Sequence, residues 1–415
     1  MSILVMNKID PKGTDILKKD GFDVTTCDYG NIHNGIVVRS APINKLLAKR
    51  SCAIARAGAG TNNIPVDYCT ENFIPVFNTP GANSTAVAEL TMFALLASSR
   101  RLVDGCNVAY AMSCEYRDND TLKSKVESSK KDFKGPELYG KTLGVIGYGQ
   151  IGHKVAYLAR SFGMTPVVYD PYVDNPEHSS LIEQVASLKD LLLVSDYITI
   201  HVPSNEQTFH LINKETLSLM KDEVRIVNLS RDEIVEHDVV FDDKVVSYVT
   251  DFPSVEFKFL HKVIQIPHLG ASTFESEERC AVNACREISD YLRFGIIQNS
   301  INFPTTSILK NDPQKVARVC IMHKSNGPFY GHEDFSNEDT DTFKIRRGLT
   351  ESFESDTEGS SYSISTKEKG EVAYTIVDIS RQCFKSYQKF INFLTEKGYN
   401  FRVPDEYRIK GDFKW

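Results

Sequence analysis

The stretch LGVIGYGQIG, residues 143 to 152, delivers a short apolar strand into a G-x-G-x-x-G turn at Gly147, Gly149 and Gly152. Each glycine answers a separate demand. Gly147 permits the tight turn, Gly149 lets backbone approach a pyrophosphate, and Gly152 lets the next helix pack close to the sheet. That helix then offers phosphates its unpaired N–H groups and the positive end of its dipole. Val167-Val168-Tyr169-Asp170 follows as a second strand ending in a carboxylate. It falls about 20 residues on, where an acidic side chain accepts hydrogen bonds from a ribose diol. Asp170 would repel a 2′-phosphate, so the expected cofactor is NAD rather than NADP.

At 415 residues the chain exceeds what one core organises, and two or three domains are expected. A net charge of −7 without long basic runs argues against nucleic acid or an anionic membrane as the main partner. Nine cysteines stand singly, with no C-x-x-C pair, so neither a disulfide framework nor a metal site is indicated. A reducing, cytoplasmic compartment fits that usage. The opening MSILVMNKID lacks the basic-then-apolar pattern of a signal peptide. No apolar stretch approaches the roughly 20 residues that span a bilayer.

Strands and helices alternate from the start: Ile3 to Met6, a helix around Ile16 to Lys19, then Gly35 to Arg39. Arg39 thus stands at the C-terminal end of a strand, where open α/β sheets bind ligands. The run Cys52 to Ala55 leads into Arg56-Ala57-Gly58-Ala59-Gly60-Thr61, a second small-residue loop whose N–H groups could form a concave anion site. The fold expected is α/β, with two Rossmann-like doubly wound parallel-sheet domains, a cleft between them and a small α+β C-terminal domain. Residues 1–99 and 286–308 form a discontinuous substrate domain, 100–285 the nucleotide domain and 313–415 the third, with Asn311 and Pro313 marking the linker. A polar insert at 332–370 reads as a loop. Phe384, Tyr387, Phe390, Ile391 and Leu394 share one helical face.

Three polar residues stand at or beyond strand ends after the nucleotide turn: Arg231 in NLSRDE, Glu256 in TDFPSVEF and His268 in IPHLGAST. Oxidising an alcohol with NAD needs a base for the hydroxyl proton, and an imidazole titrating near neutrality suits His268 to that task. A carboxylate on the other ring nitrogen would fix its tautomer and stabilise its protonated form. Glu256 is assigned that role. The planar fork of Arg231 suits a substrate carboxylate and can polarise the adjacent carbonyl in the reverse direction.

The segments VVRSAPIN, ARAGAGTNNIPVD, VFNTPGANSTAVAEL, GKTLGVIGYGQIG, YDPYV, NLSR, TDFP and PHLGAST resemble, in order, those of the NAD-dependent D-2-hydroxyacid dehydrogenases, and within them the phosphoglycerate dehydrogenase branch. The likeness covers roughly residues 3 to 304. It implies the same roles for Arg231, Glu256 and His268. It implies substrate contacts from Arg39, Ser40, Arg56, Ala57 and Gly58, and NAD contacts from Ala59, Gln150, Ile151, Asp170, Val202, Leu229, Arg231, Asp251, His268, Gly270 and Ala271. Asp251 also has a physical rationale, because the nicotinamide carboxamide NH₂ needs an acceptor. The C-terminal region resembles an ACT domain at its ends, VARVCIMHKSNGP and GEVAYTIVDIS, and a homodimer or homotetramer is expected.

One guanidinium serves a simple 2-hydroxy acid, so Arg39 and Arg56 suggest a second anion such as phosphate. The expected substrate is therefore a phosphorylated 2-hydroxy acid, 3-phosphoglycerate, oxidised to 3-phosphohydroxypyruvate at the start of serine synthesis. A glyoxylate or hydroxypyruvate reductase, or an NAD-sensing binding protein of the same fold, are the competing readings. The chain departs from the family pattern in two places: Asp232 follows Arg231 where glycine is usual, and Glu256 is not followed by the frequent proline.

Overall fold

The computed structural model describes residues 1–28, 30–173, 182–306, 313, 315–325, 341–353, 362–404 and 407, and Asn311 lies outside them. The chain divides into two compact units, Met1–Ala82 with Glu277–Trp415, and Asn83–Ser276.

In the first unit, strands β1 (Ser2–Met6), β2 (Asp23–Thr25), β3 (Gly35–Val38), β4 (Ile54–Arg56) and β5 (Val76–Phe77) form a parallel sheet in the order β2-β1-β3-β4-β5. Ile36, Val37 and Val38 are consecutive and fully buried, as a parallel strand covered on both faces requires. One face packs Ile3, Val37 and Phe77 with Ala284, Ile288 and Leu292 of the helix Phe274–Phe294. The other packs Leu4, Ile36 and Val38 with Ile43 and Leu47.

The second unit holds β6 (Thr142–Ile146), β7 (Thr165–Tyr169), β8 (Glu183–Gln184), β9 (Tyr197–Ile200), β10 (Val224–Asn228), β11 (Val245–Thr250) and β12 (Val263–Gln265). They run parallel in the order β12-β11-β10-β9-β6-β7-β8. The order reverses between β6 and β9, the switch point at which such sheets open a crevice for ligands. Helix Ser84–Arg100 belongs here, since Ala88, Met92 and Leu95 bury with Leu143, Val145 and Val155. The units therefore break at 82/83 and 276/277, not at the 99/100 and 285/286 expected from sequence. Cys280, Ala281 and Ala284 explain the second break, because they already lie in the first unit's core.

Strands β13 (Val316–Lys324), β14 (Tyr362–Lys369), β15 (Val372–Ser380) and β16 (Asn400–Arg402) form an antiparallel sheet, β14-β15-β13-β16, within the first unit. With helices Asp341–Phe353 and Phe384–Glu396 the order is βαββαβ. The expected loop at 332–370 is thus corrected in part: 341–353 is a helix and 362–369 a strand. Ile345, Leu349 and Phe353, spaced by four, bury on β13 and β15 although charged residues separate them. Residues 332–340 and 354–361 of that stretch lie outside the description. Tyr387, Phe390, Ile391 and Leu394 are buried on the same core.

Candidate active site

The glycine turn has the stereochemistry its spacing demands. Gly147 has φ +92°, and a Cβ there would lie 2.7 Å from the His201 carbonyl. A Cβ on Gly152 would overlap the Gly147 carbonyl, whereas one on Gly149 would meet no protein atom within 4 Å. The open face at Gly149 caps the helix Gln150–Ser161 and leaves space for a phosphate group. At the end of β7, Asp170 takes the Tyr148 N–H on Oδ2 (2.8 Å) and the Tyr172 N–H on Oδ1 (2.9 Å). Backbone thus fixes the carboxylate beside the turn, with lone pairs remaining for a diol. Across the switch point, burial pushes the His201 imidazole down to about 3, so this histidine is neutral and serves as a partner for Thr199 Oγ1 at 3.0 Å. Val202 follows it, and its carbonyl accepts the Ser230 hydroxyl; Leu229 is buried.

Asp251 ends the β11 segment as a carboxylate 2% exposed. Its Oδ2 lies 3.5 Å from Nδ1 of His268, whose side chain is 60% exposed. Oδ1 of Asp251 is buried and has no hydrogen-bond partner among the described residues. Burial raises the Asp251 carboxyl, while the positive charges of His268 and Arg231 act against that rise. The ring of His268 stands edge-on to Phe252 at 5.2 Å, and Gly270 backs the pair, with a Cβ position 3.9 Å from Asp251 Oδ2. Ala271 is half-buried in the turn beyond. Arg231 is exposed, and its Nη1 donates to the Ser230 carbonyl at 2.6 Å. The backbone at Arg231 is held by Asn228, fully buried, whose Nδ2 donates to the Arg231 carbonyl at 2.8 Å.

Glu256 does not pair with His268, which corrects the expected triad. Its Oε2 lies 2.7 Å from Nδ1 of His237, and the other ring nitrogen of His237 lies 3.2 Å from Asp232 Oδ1. Burial opposes a charge on His237, but the bonds to Glu256 and Asp232 prevail and raise its titration above the ordinary histidine range. The loop that carries Glu256 therefore delivers it to a neighbour that spacing alone did not single out.

In the first unit, the guanidinium groups of Arg39 and Arg56 are both engaged within the protein. Arg39 Nη2 lies 2.8 Å from Glu277 Oε1. Arg56 Nε donates to the Arg39 carbonyl at 3.0 Å, and Nη1 to the Gly60 carbonyl. The amides of Ala57 and Gly58 bond the carbonyls of Val38 and Arg56, at 2.8 and 2.9 Å, which removes two of the expected anion donors. The Ser40 amide is held by Asn7 Oδ1 at 3.2 Å, and the Ala59 carbonyl accepts from Asn78. Sequence reading missed Asn228, His237 and Glu277. Asn228 had a signal, a polar residue closing the apolar strand VRIVN; the other two are tertiary pairings.

A reversing parallel sheet, a glycine turn, a fixed acidic strand end and a buried carboxylate beside an imidazole define a nicotinamide-dinucleotide-binding dehydrogenase class. The family profile for "D-isomer specific 2-hydroxyacid dehydrogenase, NAD binding domain" matches residues 108–252. The chain is 36% identical over 284 residues to D-3-phosphoglycerate dehydrogenase of Methanocaldococcus jannaschii, covering 66% of this chain and 51% of that one. It is 38% identical over 272 residues to hydroxypyruvate reductase of Thermotoga maritima, covering 61% and 83%. The NAD⁺-bound 3-phosphoglycerate dehydrogenase structure of Entamoeba histolytica superposes with TM-score 0.58 at 25% identity, over 72% of this chain and 98% of that one. The chain belongs to the D-2-hydroxyacid dehydrogenase family. It spans about half the length of the M. jannaschii relative. No helix among the described residues is long and apolar enough to cross a membrane.

Proposed function

We propose that the protein is an NAD-dependent dehydrogenase that oxidises 3-phosphoglycerate to 3-phosphohydroxypyruvate. The observation that carries the reading is Asp251, buried with Oδ1 unpartnered and Oδ2 beside the imidazole of His268. A buried carboxylate oxygen without a donor is costly, and the carboxamide NH₂ of a bound nicotinamide would supply one. The glycine turn, Asp170 and Asp251 would hold NAD, which would supply the hydride acceptor for C2 of the hydroxy acid. His268 takes the hydroxyl proton on Nε2, because Nδ1 faces Asp251. Asp251 holds the ring and stabilises its protonated form. Arg231 grips the substrate carboxylate and gives up its contact with the Ser230 carbonyl to do so.

Phosphate binding falls to Arg39 and Arg56, with the amides of Ala59 and Gly60 as donors. The competing substrate is unphosphorylated hydroxypyruvate, favoured by one observation, the neutralisation of Arg39 by Glu277 at 2.8 Å. Reduction of 3-phosphohydroxypyruvate and of hydroxypyruvate with NADH, measured side by side, decides between them. A kcat/KM at least about tenfold higher for the phosphorylated acid supports the first reading, and equal values remove it. We also infer self-association, because helices Leu102–Glu115 and Asn119–Ser129 bury none of their residues within the chain.

A further inference from the structure

We propose that a cavity in the first unit binds a small monocarboxylate, held by the guanidinium of Arg402; the inference is independent of the dehydrogenase reading above. The cavity is about 150 Å³, and Asn34, Cys52 and Phe73 contribute to one wall. These residues stand just before β3, β4 and β5, so the cavity lies at the N-terminal edge of the parallel sheet. Arg39 and Arg56 stand at the opposite edge, where β3 and β4 end. Tyr291 of the helix Phe274–Phe294, with Met322, Asn400 and Arg402 of the antiparallel sheet, forms the other wall.

β16 pairs with β13 in a register that sets Arg402 opposite Cys320 and Asn400 opposite Met322. Strand alternation sends Phe401 to the face that packs with Leu349 and Leu394, and Asn400 and Arg402 to the other. On that second face Cys320, Met322 and Tyr374 pack in one apolar core with Tyr291, and Arg402 enters it only 5% exposed. Its Nη2 donates to the Leu292 carbonyl at 2.8 Å, and its guanidinium lies over the Tyr291 ring, 5.0 Å from the centroid. Burial pushes the Tyr291 phenol up, so it stays neutral and supplies no countercharge. Nη1 is buried without a hydrogen-bond partner among the described residues, and none of their carboxylates pairs with Arg402.

Arg318, two residues before Cys320 on the same strand, is held in the same way but is neutralised. Its Nη1 donates to the Phe294 carbonyl at 2.9 Å, and its guanidinium lies 4.3 Å from the centroid of the Tyr407 ring. In addition, Nε and Nη2 take the two oxygens of Asp378 at 2.6 and 2.7 Å. Arg402 has the carbonyl and the ring, and a cavity where Arg318 has a carboxylate. A guanidinium does not shed its proton, so this buried charge stays uncompensated within the protein. An anion in the cavity would offset it.

The lining sets the class of ligand. Arg402 is the one cation among the described residues that line the cavity, so a single negative charge matches it and a dianion such as phosphate does not. A space of about 150 Å³ suits roughly six heavy atoms, the size of a three- or four-carbon acid. Ile74, Phe73 and Met322 offer apolar contact to a short carbon chain. The exposed amides of Asn72 and Asn400 can pair with a hydroxyl or amino substituent.

Cys52 lines the cavity, so its alkylation by iodoacetamide, in which the thiolate displaces iodide, reports occupancy in the full chain. Labelling is followed by peptide mass spectrometry with sodium acetate as the probe, and exposed Cys106 serves as the internal reference. Acetate at about ten times its dissociation constant should slow Cys52 labelling by about tenfold and leave Cys106 unchanged. The protection should persist in Arg231→Ala and vanish in Arg402→Met, which removes the charge and keeps an apolar side chain. Acetamide, alike in shape but uncharged, should not protect, and equal protection by acetamide overturns the proposal without any substitution. A Cys52 rate unmoved by acetate, or protection that survives Arg402→Met, also overturns it. Equal protection by sodium phosphate overturns the assignment to a monocarboxylate.

Discussion

The Nδ1 atom of His268 lies 3.5 Å from Oδ2 of Asp251, which turns this ring nitrogen towards a buried carboxylate. In the function proposed above, Nε2 takes the proton of the substrate hydroxyl. Replacing the imidazole removes the base without disturbing the glycine turn or Asp170. His268→Ala should therefore bind NADH within about threefold of the parent while kcat falls by about 10²–10⁴. NADH fluorescence titration and steady-state rates check the two halves separately, and undiminished turnover would remove His268 from the mechanism.

Asp251 also faces the cofactor side of the proposed site. Its buried Oδ1 has no hydrogen-bond partner among the described residues, and the carboxamide NH₂ of a nicotinamide needs an acceptor. Asp251→Asn would present a donor there instead, so NADH affinity should drop. Fluorescence titration of the variant checks this, and an unchanged affinity would remove Asp251 from the cofactor site.

The two backbone amides that bind Asp170 leave its oxygens fixed beside the glycine turn. Asp170→Ala should weaken NADH binding by about tenfold and leave NADPH nearly unchanged, because one loses a ribose acceptor and the other a repulsion. Paired affinity measurements for the two cofactors test this. An unchanged ratio would contradict the ribose assignment.

The parts legible in the sequence are those enforced locally. Gly147 and Gly152 are required by a turn and a close helix approach, so their spacing alone gave the strand, the turn and the helix that follows. The continuous apolar run of β3 likewise announced a strand, and the fold buries it on both faces. The choice of carboxylate for His268 was not local: Asp251 and Glu256 lie in the same loop region, and their side-chain directions depend on where His237 and Phe257 pack. Arg39 reads as a cation for substrate until the chain returns, far along the sequence, with Glu277. The helix Asp341–Phe353 was hidden because its buried positions are single residues amid charges, and composition outweighs so thin a stripe.

Glu287, on the helix that completes the first unit, links stability to pH. It is 8% exposed, its Oε1 accepts from Asn299 Nδ2 at 2.7 Å, and Oε2 has no partner among the described residues. Burial pushes its carboxyl up to about 8, against an ordinary value of 4.5. The folded chain therefore binds this proton more tightly than the unfolded chain. Its contribution is fully present below about 4.5 and is lost as pH climbs to about 8. Each pH unit within that window costs up to about 1.4 kcal/mol from this group. Glu287→Gln keeps a neutral acceptor for Asn299 and removes the titration. Its urea midpoint should stay flatter between about pH 5 and pH 8 than the parent's, with the variant the more stable of the two at the upper end. Parallel curves for the two proteins would show that residue 287 is charged in the folded state.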